Sequence, residues 1–121
     1  MINHKKNLLV ILSIAIIIIS IISYFAFGTV VNTGEIATKN ISVNNGTIQI
    51  AGTTINSSKS FAGYNYMIKN DTLYLKLRYS IVNPIHQSGD FNISFNCNDI
   101  NIKNMYLQGN RTEDIKLVWT K

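Results

Sequence analysis

The chain has 121 residues, enough for one domain with a single modest core. It carries 11 Lys and Arg against 6 Asp and Glu, a formal net charge of +5. These charges are scattered rather than clustered on one face, so the sequence predicts no nucleic-acid partner. Cys97 is the only cysteine, which excludes an intrachain disulfide, and its position at the end of an alternating strand favours a small buried apolar residue.

The most strongly patterned stretch covers residues 8–27, LLVILSIAIIIISIISYFAF, which contain no charge, no Pro and no Gly. A helix rises about 1.5 Å per residue, so this stretch would cover about 30 Å, the thickness of a bilayer's hydrocarbon core. Lys5 and Lys6 precede it, and positive charge holds the preceding end in the cytoplasm. We therefore expect residues 1–7 to be cytoplasmic, residues 8–27 to form one transmembrane helix, and the C-terminal part to be extracellular.

A cleavable signal peptide would show the same charge pattern, but its apolar region is shorter, about 7 to 15 residues. Ala26 and Gly28 are small enough to form a cleavage site before Thr29. The length of the apolar run favours an uncleaved anchor in the cell membrane. A secreted domain released by signal peptidase is the alternative.

Residues 28–35 are predicted to be a linker, and residues 36–121 an extracellular β-domain. The first hairpin is indicated by Asn45 and Gly46, since an Asn-Gly pair accepts the positive φ angles of a type I′ turn. With these two residues at the tip, the pairs on one apolar face are Val43 with Ile48 and Ile41 with Ile50.

The second predicted hairpin joins residues 61–68 to residues 73–82, with Asn70 and Asp71 at the tip. One face is apolar and the other polar, which is typical of an antiparallel sandwich or barrel. The expected apolar pairs are Ile68 with Leu73, Tyr66 with Leu75, Tyr64 with Leu77 and Ala62 with Tyr79, and Ile81 extends the row.

The rest of the chain predicts three more short strands. Phe91, Ile93, Phe95 and Cys97 alternate with polar residues, residues 102–107 form another strand, and Ile115, Leu117 and Trp119 are expected on one side of the last. About seven short strands at regular spacing predict an all-β fold, a small antiparallel β-sandwich of Ig-like or Greek-key type.

The sequence shows no recognisable catalytic set. His86 is the only histidine beyond the N-terminal flank, so neither a metal site nor a Ser/His/Asp triad is predicted. We expect no enzyme activity, no cofactor and no metal. An enzyme acting on envelope polymers would need two acidic side chains in one cleft. The candidates are four acids in separate loops, Asp90, Asp99, Glu113 and Asp114.

The polar face of the second hairpin is the predicted contact surface. Tyr74 is the aromatic residue expected on this face, and Asn65, Lys76 and Arg78 accompany it. Such a face suits another envelope protein or an anionic wall polymer, so the sequence predicts a non-catalytic binding module at the cell envelope.

Several segments resemble small membrane-anchored proteins of low-GC Gram-positive bacteria such as bacilli and clostridia. The segments are Gly63-Tyr64-Asn65-Tyr66, residues 70–80, residues 88–93 and Tyr106-Leu107-Gln108-Gly109. The resemblance covers most of the exported part and the N-terminal apolar stretch. It implies location and architecture, and carries no functional residues over to this chain.

Overall fold

The structure is a computed structural model that describes residues 3–44, 46–96 and 101–121. One N-terminal helix, α1 (Asn3–Phe27), precedes eight strands in two sheets. The strands are β1 (Thr29–Val30), β2 (Ile36–Asn44), β3 (Thr47–Thr54), β4 (Lys59–Lys69), β5 (Thr72–Ile81), β6 (Phe91–Asn96), β7 (Asn104–Gln108) and β8 (Ile115–Thr120). Asn45, Cys97 and Asp99, which carried three of the sequence expectations, lie outside the described residues.

Helix α1 is long and apolar enough, by length and composition, to cross a membrane. Residues 4–23 are exposed apart from half-buried Ala15, so this part of the helix does not pack against the strands. The hydroxyls of Ser13 and Ser20 donate to carbonyl oxygens one turn earlier, each over 2.9 Å. These bonds satisfy two of the three serine hydroxyls within the apolar run.

The three-stranded sheet has the order β2-β3-β6, and its pairings are antiparallel. The register predicted for the first hairpin is confirmed, since Val43 pairs with Ile48 and Ile41 with Ile50. Gly46 has a φ of 79°, as the turn requires. The alternation predicted for β6 is confirmed for the described residues, since Phe91 and Ile93 are buried and Phe95 is half-buried.

The five-stranded sheet is built around β5. Strand β4 pairs antiparallel with one edge of β5, while the other edge is shared between β7 at residues 72–75 and β1 at residues 78–79. Strand β8 pairs antiparallel with β7. The β5–β7 pair is parallel, which differs from the purely antiparallel prediction. The chain crosses to the other sheet as β6 before it returns as β7, and such a crossover allows a parallel neighbour.

A β-bulge in β4 changes the predicted register at one end of the second hairpin. Tyr64, Tyr66 and Ile68 pair as predicted, but the register shifts between Phe61 and Gly63. Phe61, not Ala62, therefore pairs with Tyr79, because an extra residue in one strand moves every earlier side chain by one position.

Two residues of that hairpin are exposed although they were predicted to extend the apolar core face. Tyr66 lies about half exposed, and its ring stacks on Phe95 with centroids 4.7 Å apart. Ile81 is 56% exposed at the end of β5. The predicted face is thus buried along β5 from Leu73 to Tyr79, but not at Tyr66 on β4 or at Ile81.

A bulge in the β7–β8 pair corrects the prediction for β8. The register shifts between Met105, which pairs with Trp119, and Tyr106, which pairs with Leu117. Trp119 therefore packs against the core, whereas Ile115 and Leu117 lie on the opposite, exposed face. The three residues do not share one side because Val118 interrupts the alternation.

Residues 28–35, expected to be a linker, fold against the domain. They contain β1 and a short 3-10 helix, Thr33–Glu35, and Val31 between them is buried. The buried side chains of both sheets form one hydrophobic cluster. Its members are Val31, Ile36, Ile48, Ile50, Leu73, Leu75, Leu77, Tyr79, Phe91, Ile93, Ile102, Met105 and Leu107.

Candidate interaction surface and helix junction

The outer face of the five-stranded sheet carries the side chains that point away from the core. Cross-strand register places Met67 beside Tyr74, and Tyr74 beside Tyr106 on the parallel neighbour. The two tyrosine rings are stacked, with centroids 5.6 Å apart and planes 15° from parallel. Leu117 follows on β8, opposite Tyr106. Aromatic and aliphatic groups therefore continue across four strands of an exposed surface.

Two adjoining depressions lie on this face. The first has a volume of about 240 Å³ and is lined by Asn65, Tyr66, Met67, Tyr74, Lys76 and Gln108. The second has a volume of about 320 Å³ and is lined by Met67, Lys69, Tyr74, Gln108, Thr112 and Ile115. Because Met67, Tyr74 and Gln108 line both, we treat the two depressions as one surface, the outer-face cleft.

The lining of the outer-face cleft is apolar at its centre and basic at its margin. Met67 and Tyr74 lie in the shared part, while Lys76 borders one depression and Lys69 the other. Asn65 and Gln108 add side-chain amides that can donate and accept hydrogen bonds. This combination can receive an apolar anchor whose neighbouring groups are acidic or hydrogen-bonding.

Three of the four residues predicted as a contact face line this cleft. Asn65, Tyr74 and Lys76 all border the first depression. Arg78 does not join them, because its Nη1 donates to the carbonyl oxygen of Phe27 over 2.9 Å. Ser80, the next residue on that face of β5, is fully buried, and its hydroxyl lies 3.4 Å from the carbonyl oxygen of Phe25.

Arg78 belongs instead to a junction between the β-domain and the end of α1. The last turn of α1 contains no basic residue, and its final carbonyl groups have no partners within the helix. The β-domain provides these partners, since Arg78 bonds to Phe27 and Nε2 of His86 lies 2.8 Å from the carbonyl oxygen of Ala26. The guanidinium group also places positive charge at the negative end of the helix dipole.

Gly28 completes this junction. Its amide donates to the carbonyl oxygen of Tyr24 over 2.7 Å, and its φ of 65° is the left-handed conformation that ends many helices. A Cβ atom at this position would lie 2.6 Å from the backbone oxygen of Tyr79. The chain therefore passes from α1 into β1 in contact with β5, without a free tether between them.

Sequence reasoning missed this junction. No role was predicted for His86, the only histidine beyond the N-terminal flank, but it is half-buried and its ring contacts a residue 60 positions earlier in the chain. One signal was present in the sequence: a glycine follows the apolar run directly, and no local basic residue follows that could cap the helix end.

Among the acids considered for catalysis, Asp114 has side-chain hydrogen bonds, whereas Asp90 and Glu113 are exposed. Asp114 accepts hydrogen bonds from the Thr33 hydroxyl over 2.6 Å and from the Thr33 amide over 3.1 Å. Asp90 raises the pKa of the Tyr79 hydroxyl, although burial of that hydroxyl is the larger cause. Within residues 3–44, 46–96 and 101–121, no three His, Cys, Asp or Glu side chains are placed to share a metal ion.

The chain matches no model of a known protein family. No curated protein and no solved structure shows significant similarity to it. The cleft and the junction are therefore the features of the molecule that bear on its function.

Proposed function

We propose that this protein is a single-pass membrane protein with a cytoplasmic N-terminus and an extracellular β-domain that acts as a non-catalytic interaction module at the cell envelope. The apolar, exposed surface of α1 supports the anchor, because such a surface is stable in lipid and costly in water. Lys5 and Lys6 support the orientation. A Gram-positive bacterial envelope, suggested by the resemblance, is part of the same proposal.

The junction favours an uncleaved anchor over a secreted domain. Cleavage before Thr29 would need the chain around Gly28 to enter a protease in extended form. Gly28 is instead held in a left-handed conformation against Tyr79, and Phe27 is bonded to Arg78. Cleavage would have to open these contacts first.

The two sheets are proposed to pack face to face as a small β-sandwich. The single hydrophobic cluster supports this arrangement, since Ile48 and Ile93 come from one sheet and Leu75 and Leu107 from the other. Interdigitation of two inner faces is how sandwiches build their cores. The parallel β5–β7 pair makes this topology a mixed version of the predicted antiparallel type.

The outer-face cleft is the proposed binding surface. The observation that carries it is exposed Met67 beside the half-buried, stacked rings of Tyr74 and Tyr106, with lysines at the margin. Aromatic residues and methionine are enriched where proteins bind one another. We propose a protein partner that offers an apolar side chain to Met67 and Tyr74 and an acidic group to Lys76.

The partner should be attached to the same membrane. Tyr74 lies six residues before Ser80 on β5, and Ser80 is beside the end of α1. At about 3.3 Å per strand residue, the cleft lies about 20 Å along β5 from the helix end. Since the chain has no free tether at the junction, the cleft is held within that distance of the end of the anchor.

Photocrosslinking in intact cells tests this proposal. A photoreactive p-benzoylphenylalanine replaces Tyr74, and the control replaces Gln49, which is exposed in the middle of the other sheet. We expect one protein adduct at position 74 that is lost in Lys76→Glu and kept in Lys39→Glu. Equal adducts at both positions, or none at position 74, would refute the protein-binding surface. An adduct with a wall polymer would show that the cleft binds an anionic polymer and would overturn the proposal of a protein partner.

A further inference from the structure

Aliphatic side chains are exposed where the β-domain meets α1. Ile81 and Ile85 are each 56% exposed and Val82 is 44% exposed, all within five residues of one another. Strand β5 begins beside the Asn70 turn and ends at Ile81, and Val82 and Ile85 come directly after it. All three residues therefore lie at the end of the domain opposite the Asn70 turn. Exposed branched aliphatic residues grouped in this way mark a contact surface more often than isolated ones do.

The loop that presents them is held in place by Asn83. This residue is 8% exposed, and its amide nitrogen donates to the carbonyl oxygen of Ile81 over 2.7 Å. Its side-chain oxygen accepts from the amide of Ile85 over 2.9 Å and from the amide of His86 over 3.2 Å. The aliphatic groups are therefore presented by a fixed loop and do not reach solvent through local unfolding.

The same loop contacts the last turn of α1. His86 Nε2 lies 2.8 Å from the carbonyl oxygen of Ala26, and Asn83 Nδ2 lies 3.5 Å from that of Phe25. The last turn also carries the aromatic rings of Tyr24 and Phe25, which suit the interface between lipid and water. The exposed aliphatic residues thus lie beside the end of α1, at the level where the interface between lipid and water is expected.

The charged residue beside this surface, Lys59, forms an ion pair. Register places Lys59 opposite Ile81, and Lys59 Nζ lies 3.2 Å from a carboxylate oxygen of Glu35. Entry of the aliphatic group into the interface therefore does not require an unpaired Lys59 to leave water.

We propose that Ile81, Val82 and Ile85 enter the outer interfacial layer of the bilayer beside α1, so that the β-domain rests on the membrane. This inference depends on the proposed transmembrane anchor. Amphipathic helices that lie at a membrane surface bury their apolar groups about 5–10 Å into the boundary between headgroups and acyl chains, and a group of exposed aliphatic side chains can enter the same layer. The contact fixes the tilt of the domain and gives the outer-face cleft a constant direction relative to the membrane.

Spin-label accessibility in the full-length protein tests this contact. The protein, in a Cys97→Ser background, is reconstituted in nanodiscs of zwitterionic and anionic phospholipids. One label is placed at a time, at Ile85, at Val82, at Ile14 in the middle of α1, or at Leu117, which is 50% exposed on the outer face. The readout is the ratio of collisions with oxygen, which concentrates in lipid, to collisions with a water-soluble nickel chelate.

We expect this ratio to be several-fold higher at Ile85 and Val82 than at Leu117, and highest at Ile14. A ratio at Ile85 and Val82 equal to that at Leu117, with Ile14 in lipid, would overturn the membrane contact and leave the anchor in place. A water-like ratio at Ile14 would overturn the anchor itself and the contact with it. Circular dichroism of each labelled protein confirms that the strands are folded.

Discussion

Gly28→Ala should weaken the connection between α1 and the β-domain. The φ of 65° at this position costs a residue with a Cβ about 1–2 kcal/mol. The new Cβ would also lie 2.6 Å from the backbone oxygen of Tyr79 and 3.0 Å from the Cβ of Ala62, so β1 must move away from β5. We expect the free energy of unfolding of the domain to fall by about 2 kcal/mol in total.

Thermal unfolding of the full-length protein in detergent micelles, followed by the fluorescence of Trp119, measures this change. For a domain of this size, about 1 kcal/mol shifts the Tm by about 4–8 °C, so a fall of about 8–16 °C is expected. Gly34→Ala is the matched control, because its Cβ would meet no atom within 4 Å and its φ is not left-handed. Equal Tm values for the two variants would refute the strained junction.

Three further changes test the core, the junction and the buried tyrosine. Leu75→Ala removes a fully buried side chain from the shared core and should cost about 2–5 kcal/mol in urea unfolding; a cost below about 1 kcal/mol would contradict a core common to both sheets. Arg78→Met removes the charge-assisted bond to Phe27, worth about 1.5–3 kcal/mol, so amide exchange at the end of α1 should accelerate about 10–100-fold, and an unchanged rate would show that the bond does not hold the helix. Tyr79→Phe removes the 2.8 Å bond to the carbonyl oxygen of Gly89 and should cost about 1 kcal/mol at neutral pH. Burial, and to a smaller extent Asp90, raise the pKa of Tyr79 above its ordinary 10.0. The stability advantage of the wild type over Tyr79→Phe should therefore shrink as the pH rises above 10.0. Curves of stability against pH that stay parallel for the two proteins would contradict this.

The two hairpin registers were predictable because they depend on local signals. Turn residues and alternation fix which residues face each other, and Ile41 with Ile50 and Tyr64 with Leu77 are paired as expected. The bulges were not predictable, since Ala62 and Val118 have ordinary strand chemistry and interrupt the alternation only because of how neighbouring strands fit. Each bulge changed which apolar residue is buried.

The candidate site was likewise predictable in part, from the residues that alternate along one strand. Tyr74 and Lys76 share a cleft because they alternate on one strand, which the sequence displays directly. Arg78 has the same alternation but leaves this surface to bond with Phe27, 51 positions away in the chain. A contact between a strand and a distant helix end depends on the packed fold, and strand periodicity carries no information about it.

The intact mass of the native protein, measured in separated membrane and medium fractions of its host cells, tests the central claim most directly. An anchored domain predicts a full-length species of about 13.6 kDa in the membrane fraction. A species that begins at Thr29 in the medium would contradict the anchor and the role assigned to the junction.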